Sequence, residues 1–159
     1  PPRSWRPRIA PTEMDTVYRH RLVWGEVHDE NAFAMDGVSG HAGLFSTAPD
    51  LVRFAQMMLR EGAPLLSAET VRLFARRQDS TLSHRALGWE TPNGQNSAGS
   101  RLSPRAFGHT GFTGTSIWID PERDLFVVLL TNRVHPTRDN TRIFEVRRRL
   151  ADLAVGVVR

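Results

Sequence analysis

The chain has no cysteine and no lysine, so all 21 of its basic residues are arginines. Without cysteine there is no disulfide framework, no thiol nucleophile and no thiolate ligand for a metal. Without lysine there can be no Ser-x-x-Lys motif, the arrangement in which a lysine activates a serine, so this chain by itself lacks that route to acyl transfer. Long apolar runs are missing too. No stretch approaches the ~20 residues that a membrane helix needs, and no secretion-signal pattern stands at the first residues.

What is present is 159 residues, 40% of them hydrophobic, enough for one domain with a core. The net charge is +4 and the sequence pI is about 11.0. The tight basic clusters are Arg76-Arg77 and Arg147-Arg148-Arg149. Both lie in helical patterns with no aromatic stacking platform beside them, so they read as solvated helix faces, and we expect no nucleic-acid partner.

The chain is organised around Gly108-His109-Thr110-Gly111-Phe112-Thr113-Gly114. Glycines this dense let a ligand or another backbone approach closely, and between them sit an imidazole and two hydroxyls. Two apolar runs follow, 115–120 and 125–131, separated by Pro121-Glu122-Arg123-Asp124, whose Asp-Pro start and polar interior predict a β-hairpin. Arg105 to His109 is expected as the strand leading into it, and Leu87-Gly88-Trp89-Glu90 as a short strand of its own.

Upstream, residues 1–11 hold prolines among arginines and read as an extended lead-in. Residues 12–25 show no clean alternation and read as a short helix or loop. Residues 26–43 form a chemically rich loop with His28, Asp29, Glu30 and His41. No metal-ligand spacing occurs there, so we expect neither a metal nor a cofactor, and the polar groups are expected to satisfy the loop's own backbone. Ser39 lies in Gly37-Val38-Ser39-Gly40-His41, which lacks the glycine spacing of a nucleophile elbow.

Thr47, Pro49 and Asp50 predict the start of a helix that buries Leu51, Phe54, Ala55, Met58 and Leu59 and ends at Gly62. Ser67 starts a second helix with Val71, Leu73 and Phe74 as its apolar contacts. Residues 91–103 read as a flexible Asn/Gly/Ser excursion. Ile143, Val146, Leu150, Leu153 and Val157 recur at helical spacing, predicting a closing helix over 141–157 whose apolar face lies on the sheet. The result is a layered α+β arrangement.

The run from Phe107 to Asp120, the ending Leu129-Leu130-Thr131-Asn132-Arg133, the segment Ala42-Gly43-Leu44-Phe45-Ser46-Thr47-Ala48-Pro49-Asp50 and Leu87-Gly88-Trp89 together resemble the carboxy-terminal portion of the serine β-lactamase and penicillin-binding-protein superfamily, in particular its class C-like serine hydrolases. The resemblance implies a β-lactamase/transpeptidase-like fold of antiparallel sheet and packed helices, with its amino-terminal part missing and residues 12–159 forming the portion present.

By the same resemblance His109-Thr110-Gly111 stands where many members have Lys-Thr-Gly, and the Phe112 backbone N–H is an oxyanion-hole donor. Thr113, with Thr110, contacts substrate, Asn132 orients a substrate carboxylate, and His41 lies in the loop at the cleft entrance. Tyr18, followed by Arg19-His20, does not match the family's Tyr-x-Asn, so that motif and Ser-x-x-Lys would precede Pro1. The implied substrate is a small molecule or peptidoglycan-like, ester-like chemistry fits the His109 replacement, and the implied compartment is periplasmic or secreted. Two other readings are a catalytically inert peptidoglycan- or ligand-binding module and a structural half-domain completed by another chain. The 125–131 strand, apolar at every position from Leu125 to Leu130, is expected to leave one edge for the missing amino-terminal half or for self-association.

Overall fold

The computed structural model describes residues 1–158. A 3-10 helix, Arg3–Arg8, leads into an antiparallel pair of two-residue strands, β1 (Met14–Asp15) and β2 (Arg21–Leu22), and a short helix α1 (Glu30–Ala34). Helices α2 (Ala48–Leu59) and α3 (Ala68–Ala75) follow, then an antiparallel sheet of β3 (Phe107–Thr110), β4 (Ser116–Asp120) and β5 (Leu125–Leu129), ordered β3-β4-β5. Helix α4 (Ile143–Val157) closes the chain. No helix among the described residues is long and apolar enough to cross a membrane.

The sheet is covered on both faces, and strand alternation decides which side chain goes where. Phe107 and Ile119, paired across β3 and β4, pack with Ala55 and Met58 of α2 and Val71 of α3. Trp118 points the other way, against Ala98, Leu102, Ala106 and Ala151 of α4, with Leu125 and Val127 beside it. Packing on both faces fits the absence of polar alternation in β5, although its five residues are only half-buried. Its hydrogen-bonded neighbour is β4; the opposite edge of β5 pairs with nothing among the described residues.

Capping sets the helix starts. Thr47 Oγ1 accepts the Asp50 N–H and Ser67 Oγ accepts the Thr70 N–H at 3.1 Å. Each cap satisfies one amide that a helix start leaves without a partner.

Several expectations are corrected here. The lead-in 1–11 is not extended over Arg3–Arg8, because its arginines find aromatic faces: Arg6 lies 4.6 Å from the Trp24 ring centre and Arg8 5.8 Å from that of Trp5. Residues 12–25 form a hairpin, folded by the buried Asp15 carboxylate, which accepts the N–H groups of Val17, Tyr18 and Arg19. The Leu87-to-Glu90 strand is reduced to bridges of Glu90 with Arg85 and Gly108.

The 91–103 excursion is anchored. Asn93 folds it locally, Ser97 Oγ accepts the Trp118 indole N–H at 3.0 Å, and Asp152 of α4 accepts the N–H groups of Ser100 and Arg101. Leu73 and Phe74 of α3 are exposed, and that helix is seated by Val71. Helix α4 is rotated from its expected face: Ile143, Arg147 and Ala151 are buried, while Val146, Leu153 and Val157 are exposed. Arg147 is therefore not part of a solvated face.

Candidate functional site

Strand β3 carries His109 on the face shared with Ile117 of β4, next to the turn 111–115. The imidazole is exposed. Its Nδ1 lies 2.9 Å from the Thr110 carbonyl and its Nε2 3.3 Å from a guanidinium nitrogen of Arg85. A carbonyl only accepts and an arginine only donates, so this pair of contacts puts the imidazole proton on Nδ1. Arg85 is itself held at 3.2 Å by Glu90, whose backbone exchanges hydrogen bonds of 2.8 and 3.0 Å with Gly108 on the outer edge of β3. A cation thus stands beside His109, and the sequence pattern gave no hint of it because Arg85 sits in an irregular stretch 24 residues away.

The turn itself is unusually well fixed. Every backbone carbonyl of residues 111–115 has a donor. Those of Gly111 and Thr115 each accept at 2.7 Å from Arg147, and that of Phe112 accepts from Arg133 Nε at 2.7 Å. The Thr113 carbonyl accepts from the Arg133 N–H at 2.9 Å and that of Gly114 from Thr131 Oγ1 at 2.6 Å. The Gly111 N–H closes the turn on the Thr115 carbonyl at 2.8 Å. By contrast, the amides of Phe112 and Thr113 have no hydrogen-bond acceptor among the described residues.

Two glycines make this geometry available. A Cβ on Gly111 would collide with the Thr115 hydroxyl. Gly114 has φ +120, and a Cβ there would come within 2.8 Å of the Arg133 nitrogen.

The Phe112 ring is held between a cation and an imidazole. Arg133 lies 4.2 Å from its centre and the His28 ring stacks at 5.6 Å with an interplanar angle of 23°. His28 is buried, with neither ring nitrogen hydrogen-bonded, and Glu13 is 3.7 Å away. Burial pushes the His28 imidazole below its ordinary pKa; Glu13 opposes that and Arg138 adds to it. Glu13 and Glu30 both bind Arg138, which holds both carboxyls below the usual range. Arg147 has no carboxylate partner, and burial, with Arg133 next, lowers its pKa from the ordinary arginine value.

The structure therefore brings together His109, Thr110, Gly111, Phe112 and Thr113. Asn132 flanks the turn, but its amide donates to the Pro11 carbonyl and its Oδ1 is buried without a donor. His41 is elsewhere, in the 26–43 loop. Its Nε2 lies 2.9 Å from Asp29 Oδ1 and its Nδ1 against the Ser39 hydroxyl. That Ser-His-Asp series is a local brace: Ser39 Oγ also accepts the His41 N–H, and Asp29 Oδ1 caps α1 through the Ala32 N–H. Arg147, Arg133, Arg85 and His28 are the participants that sequence reasoning missed. Of these, His28 alone had stood out as polar chemistry in its loop.

An antiparallel sheet packed by helices on both faces defines the class as α+β. The β-lactamase family profile matches residues 1–152, and the chain belongs to that family. It is 44% identical over 163 aligned positions to a protein of Escherichia coli O157:H7, and 42% identical to one of E. coli K12, both provisionally named D-alanyl-D-alanine carboxypeptidases. Each alignment covers 87% of this chain and 37% of the relative, so the chain spans little more than a third of their length. Among solved structures, a β-lactamase from Mycobacterium bovis superposes with a TM-score of 0.62 at 26% identity, over 72% of this chain and 45% of that one.

Proposed function

We propose that this chain forms one wall of the cleft of a serine hydrolase that works through an acyl-enzyme, with the nucleophilic serine and its activating lysine supplied by a part of a longer protein. The observation that carries the proposal is the 111–115 turn, in which every carbonyl is tied down while the Phe112 N–H is left without an acceptor. A donor held in advance where negative charge develops is worth about 10²–10³ in turnover. Family membership supports the same reading.

Thr110 and Thr113 would offer hydroxyls to the substrate. Arg85, exposed and resting on His109, supplies a cation that could take a terminal carboxylate. Asn132 suits that task less well, because its amide is engaged by Pro11. His41 would act at one remove, by bracing the loop 26–43. The substrate class that fits is a small acyl donor ending in a carboxylate, such as a peptidoglycan-like D-alanyl peptide; the names of the relatives agree with this. We further propose that the open edge of β5 is closed by the same longer protein.

The test is to express the complete reading frame and treat it with a fluorescent penicillin and a fluorophosphonate. One serine outside this chain should be labelled, and a D-alanyl-D-alanine peptide should be cleaved. Failure of both would leave the inert binding module as the better account. Labelling of Ser39 or any other serine within these 159 residues would refute the assignment of the nucleophile to another part.

A further inference from the structure

We infer that Arg147 is the positioning residue of the oxyanion donor, an inference that rests on the hydrolase reading above. The argument turns on one peptide unit. The Gly111 carbonyl and the Phe112 N–H belong to the same planar trans peptide, so they point in opposite directions. Arg147, buried on α4, pulls that carbonyl toward the core with a 2.7 Å hydrogen bond. The Phe112 N–H is thereby aimed away from α4 and out of the turn. The same guanidinium nitrogen also holds the Thr115 carbonyl at 2.7 Å, so both ends of the turn are fixed by a single side chain.

The contact does more than orient. A charge-assisted bond to a carbonyl polarises the whole peptide group and strengthens its N–H as a donor. Burying a guanidinium without a carboxylate is expensive, and Arg147 also leaves its Nε without a partner. No ion pair among the described residues compensates it; backbone carbonyls do so in part. A permanent positive charge behind the turn gains its full value only when negative charge forms on the other side, which is the event an acyl-transfer site must stabilise. Arg133 acts from the flank, on the Phe112 carbonyl and ring, and does not touch the Gly111–Phe112 peptide through its carbonyl oxygen.

The experiment uses the complete protein carrying Arg147→Ala and Arg147→Lys. For Arg147→Ala the expected result is a loss in kcat of about 10²-fold, comparable to loss of an oxyanion donor, with KM changed little. Affinity for a boronic acid transition-state analogue should fall by a similar factor. Millimolar guanidinium should restore part of the activity of Arg147→Ala and none in the wild type. Arg147→Lys, which keeps a charged donor but ends one atom short of the guanidinium nitrogen that holds both carbonyls, should fall in between.

Hydrogen exchange of the peptide covering 108–116 provides a readout independent of turnover, and Arg147→Ala should accelerate it. Activity within threefold of wild type, or a loss seen wholly in KM with unchanged inhibitor affinity, would overturn the inference. A wild-type protein without hydrolase activity would remove the hydrolase reading instead. In that case unchanged exchange in Arg147→Ala would end the positioning role as well, and accelerated exchange would sustain it. If Arg147→Ala does not fold, Arg147→Lys decides by the same kcat, inhibitor and exchange criteria.

Discussion

Acid should destabilise this fold through His28, and His28→Phe should remove the effect. The imidazole is 9% exposed, has no hydrogen-bond partner on either nitrogen, and lies under Phe112. Its pKa is lowered from the ordinary histidine value, chiefly by burial. A group whose native pKa lies below its unfolded pKa favours unfolding as the pH drops, because the unfolded chain binds the proton more readily. Stability should therefore be full above about pH 7 and decline below about 6.5, the unfolded histidine value.

The unfolded histidine pKa bounds the loss between pH 7.5 and 5.5 at about 1.4 kcal/mol. Glu13 and Glu30, whose pKa values are lowered by Arg138, add further losses as the pH falls through the carboxylate range, below this window. Urea denaturation at pH 7.5 and 5.5 measures the difference. A phenylalanine keeps the flat stack on Phe112, and any packing penalty it brings is the same at both pH values. The reasoning fails if His28→Phe shows the same pH-dependent difference as the wild type.

In the complete protein, His109→Ala should reduce turnover at least tenfold more than His84→Ala, whose side chain is exposed; equal effects in steady-state assays would take His109 out of the site. Trp118→Ala should destabilise by about 3–5 kcal/mol, because it empties the core between β4 and α4 and leaves Ser97 without its indole donor. A thermal or urea midpoint close to wild type would show that this core contributes less than its burial implies.

Much of the scaffold could be read before the structure because its signals are local. Thr47, Pro49 and Asp50 start α2 as their chemistry requires, and the apolar run of β5 announced a strand packed on both faces, although its residues are only half-buried. The hairpin β4–β5 followed from Asp120-Pro121. The amino-terminal hairpin escaped notice because strands of two residues show no alternation, and its fold depends on one carboxylate reaching three amides. The site was legible only as a glycine-framed motif. Its supports, Arg147, Arg133, Arg85 and His28, come from four separate segments, and contacts between residues so far apart in the chain leave no periodic trace. For α4 the misreading was specific. Hydropathy favours Val146 over Arg147 for the core, but the carbonyls of Gly111 and Thr115 needed a buried donor and so turned the helix toward the arginine.

The lack of lysine takes on a physical meaning at this turn. A buried lysine readily gives up its proton as its pKa falls, whereas a guanidinium remains charged even when burial lowers its pKa, as it does for Arg147. A lysine ammonium would also end one atom short of the guanidinium nitrogen that holds the carbonyls at both ends of the 111–115 turn. In the same protein the position beside Thr110-Gly111 is His109, in contact with the guanidinium of Arg85. Fixed positive charge is thus placed behind the turn and beside the histidine, on arginines in both places. Under the hydrolase reading proposed above, these guanidinium groups set the field in which a carbonyl oxygen becomes negative.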